Sequence, residues 1–316
     1  MNLNKLKPIS GDASFREFYR SKNSIFVFSK KDKRKNLLIY DAINKILNNN
    51  KIKAPKLINQ NYRLNQIQIE DFGNMTVYKK LRRTKKKKIV YYKKIIKLLN
   101  LIQKIKTRKI ENFLGSNYTV PKYSKKILLN EAKLFLDWYV PIKIKKKNQS
   151  LLKKKLLLVF KILINKIKFS NKTFVHRDFH VSNLMIKKKK LCVIDSQDAV
   201  FGNLAYDVAS LIDDVRLKTT SEFKKILFNE YIKTNKKINV KNFKNDFEIL
   251  SVLRNLKIIG IFTRLSSRDE KDNYLKLIPY AWKLIEQRID HNEIFIELKE
   301  ILDKFFSKKV RNNYEN

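Results

Sequence analysis

Apolar and polar residues alternate across residues 14–29, SFREFYRSKNSIFVFS, and the β-branched and aromatic types there predict two strands joined by a polar turn at 21–23. The period then changes. KNLLIYDAINKIL sets its apolar residues at helical spacing, and the asparagines at 48–50 end that helix. A further strand is expected in RLNQIQIE, where Leu64, Ile67 and Ile69 are interleaved with polar residues, and it leads into EDFGN. After Asn74 helical spacing dominates, over roughly 85–106, 123–139 and 150–169. KTFVH and LCVID interrupt it as short apolar strands around a lysine turn at 187–190. AYDVASLIDD, SEFKKILFNEYI, FEILSVLRNLKIIGIFTRL and YLKLIPYAWKLIEQRI each carry a helical apolar stripe, followed by a last helix near 292–306. The tail SKKVRNNYEN is expected to fray. The pattern divides the chain into a sheet-bearing part, 1–73, and a mainly helical part, 74–316.

Composition changes this picture in one respect. A hydrophobic fraction of 43% against 32% charged residues suits a folded chain, but the formal net charge is +43. Such a field attracts polyanions, so a non-enzymatic RNA- or membrane-binding protein is one reading. The lysines run from end to end and no nucleic-acid motif accompanies them, so a specific nucleic-acid partner is not expected. LLKKKLLLVFKILINKIKF, 151–169, could lie on an anionic membrane, yet it reads better as a core helix with lysines on its wet face. Cys192 stands alone, which excludes an internal disulfide framework. With no apolar leader and no run of spanning length, a cytoplasmic protein without a membrane partner is expected, as a monomer or weak dimer.

The chemistry concentrates in FVHRDFHVSNLMIKKKKLCVIDSQDA, 174–199. Three readings compete. His176, Asp178 and His180 alternate along an extended chain and could face one zinc ion. They could instead form a satisfied polar patch. Or HRDFHVSN fits H-R-D-x-x-x-x-N, in which Asp178 takes the proton of an attacking hydroxyl and Asn183 holds magnesium. Asp195 favours the third reading: it ends the strand LCVID, where a kinase-like site needs its other magnesium ligand. Oxygen donors of this kind suit a hard cation. The letters D-F-G at Asp71 precede the loop, on the wrong side for a metal ligand. They mark instead a hinge at which backbone near Glu70 and Phe72 could meet an adenine edge.

HRDFHVSNLM with VIDSQDAVFGNLAYDVASLIDD resembles the aminoglycoside phosphotransferase and choline kinase family. GDASFREFYR, IEDFGN, LFLDWYV and RNLKIIGIFTRL are similar to its branch acting on the anomeric hydroxyl of N-acetylmuramate and N-acetylglucosamine in cell-wall recycling. The resemblance runs from about residue 10 to about 305. It implies an α+β, two-lobed, protein-kinase-like fold, with a small antiparallel sheet and one helix in the N-lobe and the catalytic hairpin in a larger helical C-lobe. It implies ATP and Mg2+ as cofactors and a small-molecule hydroxyl, an amino sugar, as acceptor. An aminoglycoside or a choline-like amine is the alternative acceptor. By position, Asp178 becomes the catalytic base and Asn183 and Asp195 the metal ligands. Gly11, Asp12, Ala13 and Ser14 would cover the nucleotide phosphates. His176 and His180 would support the loop, as would Asp207 from a capping position. Trp138, Arg254 and Asn255 fall on the sugar side. The chain departs from the kinase pattern where the strand SIFVFS should close on a lysine: Phe28 and Ser29 stand there, with Lys30 as the nearest substitute, and the next helix offers Asp41 in place of a glutamate.

Overall fold

The computed structural model describes residues 7–9, 16–84 and 88–313. They form two compact units, Met1–Lys122 with Lys172–Phe201, and Tyr123–Asn171 with Gly202–Asn316.

The first unit is built on β1 (Lys7–Ile9), β2 (Glu17–Arg20), β3 (Ser24–Phe28), helix α1 (Lys35–Asn49), β4 (Leu57–Asn61) and β5 (Gln66–Glu70). The strands form an antiparallel sheet in the order β1-β2-β3-β5-β4. β1 and β4 were not visible in the pattern, because KPI is too short to alternate and LINQN is polar and exposed along most of its length. Pairing Phe18 with Val27, Ile25 with Ile69 and Val27 with Ile67 gathers the apolar side chains on one face. Leu37 and Tyr40 of α1 close over that face. Leu37, Ile43, Ile46 and Leu47 are fully buried, each contributing about 1.5–3 kcal/mol of transfer free energy.

The chain continues through α2 (Val77–Arg83), α3 (Lys88–Gln103) and a hairpin of β6 (Lys109–Glu111) and β7 (Asn117–Thr119). It later returns as β8 (Thr173–Val175), β9 (Leu184–Lys187), β10 (Lys190–Val193) and β11 (Val200–Gly202). The KTFVH strand, β8, pairs with β11 and does not flank the lysine turn; the hairpin there is β9 with β10. Its two turn residues, Lys188 and Lys189, are both left-handed, φ 47° and 62°, as a two-residue hairpin loop demands. The turn therefore lies where the lysine run was expected to place it, with β9 as its first strand.

The second unit comprises α4 (Lys125–Leu134), a π-helical turn (Phe135–Tyr139), α5 (Val140–Lys143), α6 (Lys146–Asn165), α7 (Ala205–Ile212), α8 (Ser221–Thr234), α9 (Val240–Asp269), α10 (Ile278–Ile289), α11 (Ile296–Phe305) and α12 (Lys308–Asn312). α6 buries Leu152, Leu156, Val159, Phe160, Leu163 and Ile164 and keeps its lysines outside. No described helix is long and apolar enough to cross a membrane. α9 is buried on nearly every side over 246–256, polar residues included, because it is packed by α4, α7, α10 and the π-turn. A tight approach falls at Gly260, where an added Cβ would sit 2.3 Å from the Leu134 carbonyl carbon. Gly260→Ala is therefore expected to cost about 1–3 kcal/mol, read as a lower midpoint in urea unfolding. An unchanged midpoint would mean that α4 gives way freely.

Two features were missed in this unit. The described part of the tail, to Asn313, forms α12, whose Arg311 is buried over the Trp282 ring, 5.1 Å to its centroid, and pairs with Glu286 at 2.8 Å and Asp303 at 2.6 Å. Asp213, just past α7, is fully buried. It accepts from Lys224 at 3.0 Å, from Arg288 at 3.0 Å through both Nε and Nη2, and from Ser251 at 2.6 Å. Burial alone would raise this carboxyl's pKa, but the two cations drive it well below the usual carboxylate range.

Candidate active site

The β9–β10 register sets the site. Leu184 faces Val193, and one step further the Ile194 N–H donates to Asn183 O at 3.1 Å, so Asn183 and Asp195 leave the hairpin at the same end. Both line a cavity of about 310 Å³ together with Arg16, Tyr40, Glu70 and Phe72. Asp195 and Arg177 hold φ of 61° and 71°, a left-handed backbone that costs residues with a Cβ about 1–3 kcal/mol. Their neighbours enforce it. Arg16 Nη2 donates to Asp195 Oδ1 at 2.7 Å, Ser196 Oγ donates to Asn44 Oδ1 of α1 at 2.6 Å, and Arg177 Nη1 donates to Asp198 O at 3.2 Å.

Two buried histidines fix the loop. The Asp178 N–H donates to His176 Nδ1 at 3.3 Å, so the ring proton sits on Nε2, which donates to Ile194 O at 3.1 Å. Burial pushes the His176 pKa below its ordinary value against the pull of Asp178 and Asp195, in keeping with a neutral ring. His176 thus links the backbone of Asp178 to the residue preceding Asp195. With both nitrogens committed to backbone it is no zinc ligand, and no cluster of three or more His, Cys, Asp or Glu suited to a metal occurs among the described residues. His180 Nε2 lies 3.2 Å from Asp178 Oδ2, and Asn183 Nδ2 donates to the same oxygen at 3.1 Å. Turning its amide nitrogen toward Asp178 reserves the Asn183 carbonyl oxygen for other partners. That oxygen and the Asp195 carboxylate are a fitting donor pair for a hard divalent cation.

At the other end of the cavity, Arg20 binds the segment after β5. Its Nε pairs with Asp71 Oδ2 at 2.6 Å, its Nη2 donates to Gly73 O at 3.0 Å, and its Nη1 reaches Asn74 Oδ1. Lys187 donates to Glu70 Oε1 at 2.9 Å and to Asp71 O at 2.7 Å, and its ammonium lies 5.3 Å from the Phe72 ring centroid. Burial raises the Glu70 pKa, but Lys187 and Lys53 outweigh it and hold the carboxyl below its ordinary value. Asp71 is therefore a structural anchor of this segment.

Gly11, Asp12, Ala13 and Ser14 lie outside the described residues. Lys30 is exposed beyond β3 and does not line the cavity. Asp207 is fully buried in the first turn of α7, and just before that helix the N–H of Ala205 donates to Asn203 Oδ1 at 2.9 Å. Trp138 is half-buried on the π-turn. Arg254 and Asn255 are buried in α9, where Asn255 donates to Ser251 O at 2.9 Å, beside the Asp213 network. Sequence reasoning missed Arg16, Tyr40, Arg20 and Lys187. A period-two reading of β2 would have found two of them, since Arg16, Phe18 and Arg20 fall on one face.

A loop aspartate, an asparagine beside it and a strand-end aspartate, gathered by a hairpin next to an antiparallel sheet, define a kinase-like phosphotransferase. The chain belongs to the phosphotransferase enzyme family, whose sequence model matches residues 5–237, and is an ATP-dependent phosphotransferase. It is 25% identical over 309 residues to the N-acetylmuramate/N-acetylglucosamine kinase of Pseudomonas aeruginosa, spanning 94% of this chain and 88% of that one. It is likewise 25% identical to the Neisseria meningitidis kinase of the same name, over 85% of this chain and 81% of that one. Solved structures share the α+β kinase-like fold. A choline/ethanolamine kinase family protein from Mesorhizobium loti superposes with TM-score 0.61 at 10% identity, covering 94% of this chain and 92% of the other. The GDP complex of aminoglycoside 2'-phosphotransferase-IIIa gives 0.62 at 12% identity, covering 90% and 91%.

Proposed function

We propose that this protein transfers the γ-phosphoryl group of ATP to the anomeric hydroxyl of N-acetylmuramate or N-acetylglucosamine. The observation that carries the chemistry is the single constellation of Asp178, Asn183 and Asp195. The acceptor rests on the two similar kinases, which match this chain over most of its length. Asp178 takes the acceptor proton, and its carboxylate is aimed by His180 Nε2 and Asn183 Nδ2 on one oxygen. Asn183 Oδ1 and the Asp195 carboxylate would hold Mg2+, which would supply neutralisation of charge on the phosphate oxygens. Glu70 and Phe72 border the base end of the nucleotide, beside the segment that Arg20 and Lys187 make rigid.

ATP consumption measured against a panel of N-acetylmuramate, N-acetylglucosamine, aminoglycosides, choline and ethanolamine tests the assignment. The expected result is turnover with the two amino sugars, giving a product whose phosphorus couples to the anomeric proton by NMR. Turnover confined to aminoglycosides or amines would replace the acceptor and leave the chemistry in place.

A further inference from the structure

We propose that Arg16 is the phosphate-anchoring cation of this kinase, supplied from the start of β2 in place of the lysine that β3 lacks. In the absence of nucleotide it holds Asp195, and with ATP present its guanidinium meets oxygens of the α- or β-phosphate. The inference rests on reading the 310 Å³ cavity as the nucleotide site.

On β3 the residues facing the cavity side of the sheet are Ile25 and Val27, both apolar, so that strand brings no cation. The register pairs Glu17 with Phe28, which puts Arg16 one step further, opposite the end of β3. A positive charge lost from one strand reappears on its neighbour. Among the described residues lining the cavity, the other cations are Arg20 and Lys79, and both are engaged at Asn74: Arg20 through its Oδ1, Lys79 through its carbonyl at 3.1 Å. Arg16 stands at the opposite end, with Asp195.

Its surroundings are those of a built site. The side chain is 3% exposed, and its guanidinium carbon lies 5.4 Å from the Phe18 ring centroid and 5.3 Å from that of Tyr40. In the kinase pattern a helix glutamate orients the lysine. Here α1 offers the aromatic face of Tyr40, whose phenol burial pushes up to about 12, so it stays neutral beside the cation. A planar, permanently charged fork clamped between two rings is pre-organised for bidentate contact with phosphate oxygens, a geometry that an ammonium does not reproduce.

Calorimetric binding of Mg·ATP and of adenosine to the full chain tests this with Arg16→Gln, Arg16→Lys and Lys30→Gln. Arg16→Gln is expected to weaken ATP by about ten- to a hundredfold while leaving adenosine affinity within about twofold, and Arg16→Lys to recover part of the loss. Equal weakening of ATP and adenosine would reduce Arg16 to a packing role and overturn the inference. So would an ATP loss that appears in Lys30→Gln and not in Arg16→Gln. A wild-type chain that binds no ATP would instead bring down the nucleotide reading of the cavity, and this inference with it.

Discussion

Asp178→Asn is expected to lower turnover by about a hundred- to ten-thousandfold while leaving the melting temperature and ATP affinity close to wild type. The separation follows from the loop geometry. His180 Nε2 and Asn183 Nδ2 both approach one carboxylate oxygen, Oδ2, and an asparagine can present its amide oxygen at the same point. The contacts that fix the loop are kept. The backbone bond from residue 178 to His176 Nδ1 does not involve the side chain. What disappears is a group able to accept the acceptor's proton. Initial rates and a thermal melt on the same preparation decide the matter. Activity within about tenfold of wild type would remove Asp178 from the role of base, whatever the fold.

Asp213→Ala should have the largest effect on stability, about 3–5 kcal/mol, because it strands two cations in the interior. The Lys224 side chain is 4% exposed and that of Arg288 17%, and both were paired with Asp213 at 3.0 Å. A loss of that size is a large share of the 5–15 kcal/mol that holds a typical domain folded. The same network gives an acid limit. Its carboxyl pKa is lower folded than unfolded, so its stabilisation is complete above the unfolded value near 4 and is lost as pH falls toward the folded one. Urea midpoints at pH 7 and pH 3 should therefore separate strongly for wild type and less for Asp213→Asn, which carries no titrating group there. Equal separation in the two proteins would place the acid sensitivity elsewhere.

The candidate constellation could be picked out because its spacing is short and local: HRDFHVSN and LCVID hold Asp178, Asn183 and Asp195 within one hairpin and one loop. The strands of β2, β3 and β5 and most helices followed from periodicity for the same reason. What was hidden depended on partners far away in sequence. Arg16 gains meaning only from Asp195 and Tyr40, and Lys187, which read as one lysine of a solvated turn, is defined by Glu70 and Asp71. The pairing of β8 with β11 and the docking of Arg311 on Trp282 are equally non-local. Lys30 was singled out by adjacency in sequence, whereas Arg16 reaches the cavity by adjacency across strands.

β2 has four residues, and a strand of that length rises about 13 Å. Arginines bracket it, Arg16 just before it and Arg20 at its end, on one face. Side chains in a strand change face at every step, so sliding β2 by a single residue against β3 would swing both guanidiniums outward together. Electrostatics at the two extremities of the cavity is therefore one inseparable property, inherited from how a short ribbon zips against its neighbour. A chain that misaligned there while folding would keep its helices yet lose its grip at both extremities in one stroke.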